Sequence, residues 1–111
     1  MAFNIIAETD KMLDFKRLQS KIYAENLNFE LIPMPGLGLR GGDAIGICVP
    51  RKNANEKTWK QLKPALRRLR SEFDCDVYDL YGGQKLGFFN SKKFKKNLLL
   101  KQPATGVKSH E

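Results

Sequence analysis

The chain opens on FNIIAE, residues 3–8, a short run rich in β-branched residues that predicts a strand. Thr9 then offers a helix N-cap, with Asp10 in the first turn where the helix dipole favours an acid. Met12, Phe15, Leu18 and Ile22 recur at steps of three and four, which predicts one buried helical face. Asn26 or Asn28 can end that helix in a left-handed turn. NFELIP, residues 28–33, sets Phe29 and Leu31 against Asn28, Glu30 and Ile32 and predicts a second strand. AIGICV, residues 44–49, predicts a third, stopped by Pro50.

A second helix is predicted to start near Asn53 or Asn55. Its apolar residues Trp59, Leu62, Leu66, Leu69 and Phe73 step by three and four, the strongest periodicity in the chain. Pro64 falls inside it. Proline in a helix interior removes a backbone bond and costs ~3 kcal/mol, so a kink or a separate first turn is expected there. DVYDLY, residues 76–81, predicts a fourth strand. Gly82-Gly83 reads as a hairpin turn and QKLGFF as a fifth strand returning beside the fourth.

The order is β-α-β-β-α-β with a hairpin return. Right-handed crossovers place both helices on one face of an antiparallel sheet. The expected fold is therefore α+β, a ferredoxin-like βαββαβ sandwich with an extra C-terminal hairpin strand and a basic tail. The 111 residues suffice for one domain. Residues 1–90 are assigned to it and residues 91–111 to a basic, flexible tail. Within that tail SKKFKKNLLLKQ can form a short basic helix, with Phe94 and Leu98 on one side.

Charge alters the picture. Residues 1–81 hold 13 Lys/Arg against 11 Asp/Glu, whereas residues 82–111 hold seven Lys against one Glu. The formal +8 is thus mostly C-terminal. Such a block engages nucleic acid or an acidic partner, or serves as a solvated tail. On the second helix Lys60, Lys63, Arg67 and Arg70 form a stripe beside the apolar face, extended by Lys57 and Arg68. With Lys92, Lys93, Lys95 and Lys96 these are the candidate phosphate contacts; the plain alternative is a solvated helix face. An RNA-reading sheet would carry aromatics on its central strands. Strand three has none, and only Tyr78, Phe3 and Phe29 are available for stacking.

Gly36, Gly38 and Gly41 spell G-x-G-x-x-G. A dinucleotide loop needs a helix opening after the glycines to receive the pyrophosphate. Here a strand follows, so the match is read as a flexible connection between strands two and three. It either merely links them or acts as a mobile arm presenting Leu37, Leu39 and Arg40 to a partner. No cofactor is called for. Nor is a metal, since two cysteines and one histidine show no ligand spacing. Asp74, Asp76 and Asp79 lie close together, but Asp76 and Asp79 fall on opposite sides of a strand. Cys48 reads as core. Cys75, beside acids, should hold an unreactive thiol. No signal peptide or apolar span is evident, which suggests a cytoplasmic protein.

The order strand, helix, ELIPMP, loop and AIGICV, within Phe3 to Tyr81, resembles a small bacterial family of selenium/sulfur carrier-like proteins. The resemblance implies the same fold. In that family the loop ends in a Cys-Gly pair whose cysteine is the carrier. This chain has Gly42-Asp43 there, so the carrier function is not implied. What the residues favour is a small non-enzymatic binding or regulatory protein, contacting nucleic acid or a ribonucleoprotein. The alternative is a protein-interaction module or inhibitor using loop 36–43 and an open sheet edge.

Overall fold

The computed structural model describes residues 2–22, 26–80, 84–86 and 91–100. The architecture is α+β. Five strands, β1 (Ala2–Glu8), β2 (Glu30–Met34), β3 (Ala44–Pro50), β4 (Asp76–Asp79) and β5 (Gln84–Lys85), form one sheet in the order β2-β3-β1-β4-β5. Every neighbouring pair is antiparallel. The helices are α1 (Phe15–Ile22), α2 (Glu56–Ser71) and α3 (Ser91–Leu99). The arrangement is compatible with a ferredoxin-like fold. The predicted Gly82-Gly83 turn and residues 101–111 lie outside the described residues.

Strand alternation divides the sheet. Phe3, Ile5 and Ala7 of β1, Ile45, Ile47 and Val49 of β3 and Val77 of β4 are buried, while their neighbours on the other face, apart from the buried Ala44, are only partly covered. The buried set joins Leu18 and Ile22 of α1, Trp59, Leu62, Leu66 and Leu69 of α2, and Phe94 and Leu98 of α3 in one core. All three helices therefore pack on the same face.

The first helix begins later than expected. Its cap is Asp14, whose carboxylate accepts from Arg17 N–H at 3.2 Å, not Thr9. Thr9 is buried, and its hydroxyl accepts from Lys11 N–H at 3.3 Å in a local turn. The delay puts Leu13, not Met12, into the core, and Met12 is left 90% exposed. Asn26 has the expected left-handed backbone, φ 65°.

The second helix is capped by Asn55, which accepts from Thr58 N–H at 3.0 Å. A cap of this kind contributes ~1 kcal/mol. The helix is continuous through Pro64, so no separate first turn forms there. Pro64 lies on the exposed side, where the acceptor it leaves unmatched, the Lys60 carbonyl, can meet water. Burial of the apolar stripe from Trp59 to Leu69 outweighs the proline.

The largest correction concerns the C-terminal boundary. The described part of the segment assigned to a tail contains α3, and Phe94 and Leu98 are buried in the common core. Phe94 contacts both Phe3 and Trp59, with ring centroids 6.3 Å away in each case. Phe94 and Leu98 are one helical turn apart and make an apolar stripe narrow enough to be hidden among lysines.

Candidate nucleic-acid interface

Lys60, Lys63 and Arg67 sit at helical positions i, i+3 and i+7 of α2, on one exposed stripe. None of the three has an ion-pair partner among the described residues. Arg70 continues the stripe but is half-buried, its guanidinium donating to the Leu86 carbonyl at a long 3.5 Å. Burial, and secondarily the charge of Arg67, lower its pKa. It is a cation held close to apolar surface next to another cation, a setting that an incoming anion relieves. Arg68, on the far side of α2, is occupied by Glu72 at 2.8 Å.

The third helix adds to this face. Trp59 lies on the side of α2 that meets Phe94, and Lys95 of α3 reaches Glu56 of α2 at 3.5 Å. Lys95 is thus half-buried and spent on joining the two helices rather than displayed to a ligand. Lys92, Lys93 and Lys96 are exposed. The packing of α3 beside α2 brings together two groups of cations that the sequence separates by about thirty residues. Six of the predicted contacts, Lys60, Lys63, Arg67, Lys92, Lys93 and Lys96, are exposed on these two adjoining helices.

The glycine loop, expected either as a flexible link or as a mobile arm, is braced against another segment of the chain. Asp43 is buried and bridges two segments. Its Oδ2 accepts from Leu13 N–H and its Oδ1 from Gly36 N–H, both at 2.8 Å. Backbone bonds run from Thr9 N to Asp43 O (3.0 Å), from Leu39 N to Thr9 O (3.0 Å) and from Asp43 N to Lys11 O (2.9 Å). Gly38 and Gly42 are required by this packing. A Cβ at Gly38 would lie 2.1 Å from the Asp43 carbonyl oxygen, and one at Gly42 would lie 2.3 Å from the Thr9 carbonyl oxygen. The loop is therefore tied to segment 9–13 and has no helix opening behind it. Asp43 thus works as a backbone clasp.

Of the three residues assigned to a partner, Leu37 is 63% exposed, Leu39 is half-buried within the loop, and Arg40 reaches Asp10 at 3.2 Å. Leu39 is thus only partly presented. Arg40 adopts φ 50° inside a short 3-10 turn, Leu39–Gly41, an uncommon backbone for a side chain of its size.

Compared with known proteins, the chain matches no protein-family model, no curated protein and no solved structure.

The remaining candidates do not converge. Asp76 lies on the outer sheet face and Asp79 on the core face. Among the described residues no group of three or more His, Cys, Asp or Glu side chains is placed to hold a metal. Cys48 is partly exposed on the outer face of β3 instead of in the core. Cys75 is buried, and burial, then Asp74 and Asp76, push its thiol up to about 11. No helix among the described residues is long and apolar enough to cross a membrane. Sequence reading missed the Asp43 clasp and the Glu56–Lys95 pair. Both join segments about thirty or more residues apart, and only an acid close to a turn hinted at the first.

Proposed function

We propose that this chain is a small, non-enzymatic, ferredoxin-like protein that binds nucleic acid, alone or within a ribonucleoprotein, through the sugar-phosphate backbone. The observation that carries the reading is the docking of α3 on α2 by Phe94, which places the exposed cations of both helices on adjoining surfaces. Lysines spread along two packed helices suit a row of phosphates better than a single small anion. The outer sheet face offers a poor alternative. It carries Glu8, Glu30 and Asp76, and its central row holds one aromatic residue, Tyr78.

The reading is tested by binding to mixed-sequence duplex DNA and RNA as a function of salt. Between three and six phosphates neutralised give a slope of about −3 to −5 in log affinity against log salt. Base sequence should matter little. Equal binding at low and high salt, or no binding at low salt, overturns the proposal.

A second reading is favoured by one specific observation. Met12 and Leu37 are both exposed, and each is next in sequence to a residue whose N–H is held by Asp43. Two apolar side chains on a braced loop pair suit a protein contact, in line with an interaction module or inhibitor. Saturable binding of a partner protein that Leu37→Asp abolishes, without any nucleic-acid binding, would select this reading.

A further inference from the structure

The sheet presents a second surface, opposite in character to the helices. Along β3 the residues on this face are Ala44, which is buried, and Gly46, Cys48 and Pro50, which are partly exposed; all are small, so the middle of the outer face is a shallow trough over Gly46 and Cys48. Strand register sets its walls. Gly46 lies between Ile32 of β2 and Ile6 of β1, and Tyr78 of β4 continues the row beyond Ile6. Ile32 is 48% exposed although it belongs to a strand. Met34 leans over the floor: its Sδ lies 3.4 Å from where a Cβ on Gly46 would stand. An unbranched thioether of this kind reshapes readily around an entering apolar group.

Carboxylates mark both ends. Glu30 is in register with Cys48 and Glu8 with Ala44. These positions are four residues apart on β3, about 14 Å at the rise of a strand. Asp76 adjoins Glu8 on the next strand and is bridged by Lys85 at 3.2 Å. The trough is thus apolar in its centre and acidic at its ends, on a molecule whose formal charge is +8.

We propose that this trough docks a cationic amphipathic helix from a partner protein. Apolar side chains would lie over Gly46 between Ile6 and Ile32, and Lys or Arg groups would meet Glu30 and Glu8. Glu30 and Glu8 are also two strands apart across β3, so their separation is about 17 Å, which a helix of roughly eleven residues spans. Charge complementarity selects this occupant. Nucleic acid would meet carboxylates on this face. A second copy docked on this face would bring two surfaces carrying the same acids together, like charge against like. The inference does not depend on the proposed function, because the two surfaces lie on opposite faces of the sheet.

The experiment titrates the isotope-labelled full chain with a synthetic peptide of about 12–15 residues. The peptide has leucines at helical spacing and lysines at both ends, and a scrambled peptide of equal composition is the control. Saturable amide shifts confined to the outer faces of β1, β2 and β3 are expected. Replacing both Glu8 and Glu30 by Gln should weaken binding about tenfold, as for the loss of two interfacial charge pairs. Ile32→Ser should weaken it as well, while affinity for duplex DNA stays unchanged in both variants. The proposal is overturned if the peptide gives no saturable shifts, if the scrambled peptide does equally well, or if the shifts fall on α2 and α3. It is also overturned if sedimentation shows that the protein alone dimerises through this face.

Discussion

Phe94 of α3 meets Phe3 of β1 edge to face, the ring centroids 6.3 Å apart and the ring planes at 83°. Edge-to-face pairs contribute ~0.5–1.5 kcal/mol beyond the area they bury. A residue from the lysine-rich end thus packs on the first strand of the sheet, and α3 is part of the fold. Phe94→Ala should cost ~3–5 kcal/mol, a large part of the ~5–15 kcal/mol that holds a domain of this size together. Thermal denaturation should show a lowered melting temperature for Phe94→Ala and little change for the exposed Lys93→Ala. Deleting residues 91–111 should destabilise the protein similarly, because Trp59 and Phe3 lose their cover. An unchanged melting temperature in the truncated chain would show that α3 does not pack as described.

The Asp43 clasp makes a pH-dependent prediction. Its carboxyl is held below the usual carboxylate range by the N–H of Leu13 and, second, that of Gly36. In the unfolded chain the group titrates near ~3.9, whereas the folded protein takes up the proton only at lower pH. The stabilisation is therefore fully present above about pH 4 and is lost as pH falls through the depressed folded value. Asp43→Asn should lower the melting temperature at neutral pH, and the gap to wild type should narrow on acidification. Asp74 is shifted in the same direction by Lys11, but that pair is exposed. Repeating the measurement at high salt screens it and leaves the Asp43 contribution.

How far these features are legible in the sequence depends on how local their causes are. The strands at residues 3–8 and 44–49 and the stripe from Trp59 to Leu69 were readable because burial on one face imposes its period directly. The start of α1 was not. Thr9 and Asp14 are both good caps, and the choice between them is made by Asp43, which draws Leu13 inward from about thirty residues away. The cost of Pro64 is local, whereas the burial that keeps the helix continuous through it is tertiary. The basic stripe on α2 was legible as a helical spacing. Its extension by α3 was not, since Phe94 and Leu98 are two apolar residues among lysines and only the Trp59–Phe3 surface reveals what they cover. The glycine loop misled for a related reason. Gly38 and Gly42 serve close backbone approach to segment 9–13, which a local reading takes for flexibility.

The two thiols should differ sharply. Cys48 is partly accessible on the outer sheet face, while Cys75 is buried with its thiol raised to about 11. The thiolate is the reactive form, so Cys75 should resist modification. Iodoacetamide at mildly alkaline pH should label the native protein at Cys48 first, as read by peptide mass spectrometry, with Cys75 reacting only on denaturation. Preferential labelling of Cys75 would contradict its placement in the core. A cationic peptide seated in the trough should slow the labelling of Cys48.

The last prediction separates a continuous phosphate-binding face from two unrelated patches of lysine. If α2 and α3 follow one nucleic-acid backbone, both Lys63→Glu and Lys96→Glu should weaken duplex binding. Each should reduce the salt slope by about 0.9 for the phosphate contact it removes. Both side chains are exposed, so neither change should alter stability by more than a typical surface substitution does, about 0.5 kcal/mol. The double variant should lose affinity by at least the product of the single effects, since both contacts belong to one bound strand. Lys95→Gln should behave differently. Lys95 is held by Glu56 at the junction of the helices, so its loss should weaken binding only slightly and through the placement of α3. A Lys96→Glu variant that binds as wild type while Lys63→Glu fails would restrict the interface to α2. A Lys95→Gln variant more impaired than Lys96→Glu would mean that the Glu56–Lys95 pair opens when nucleic acid binds.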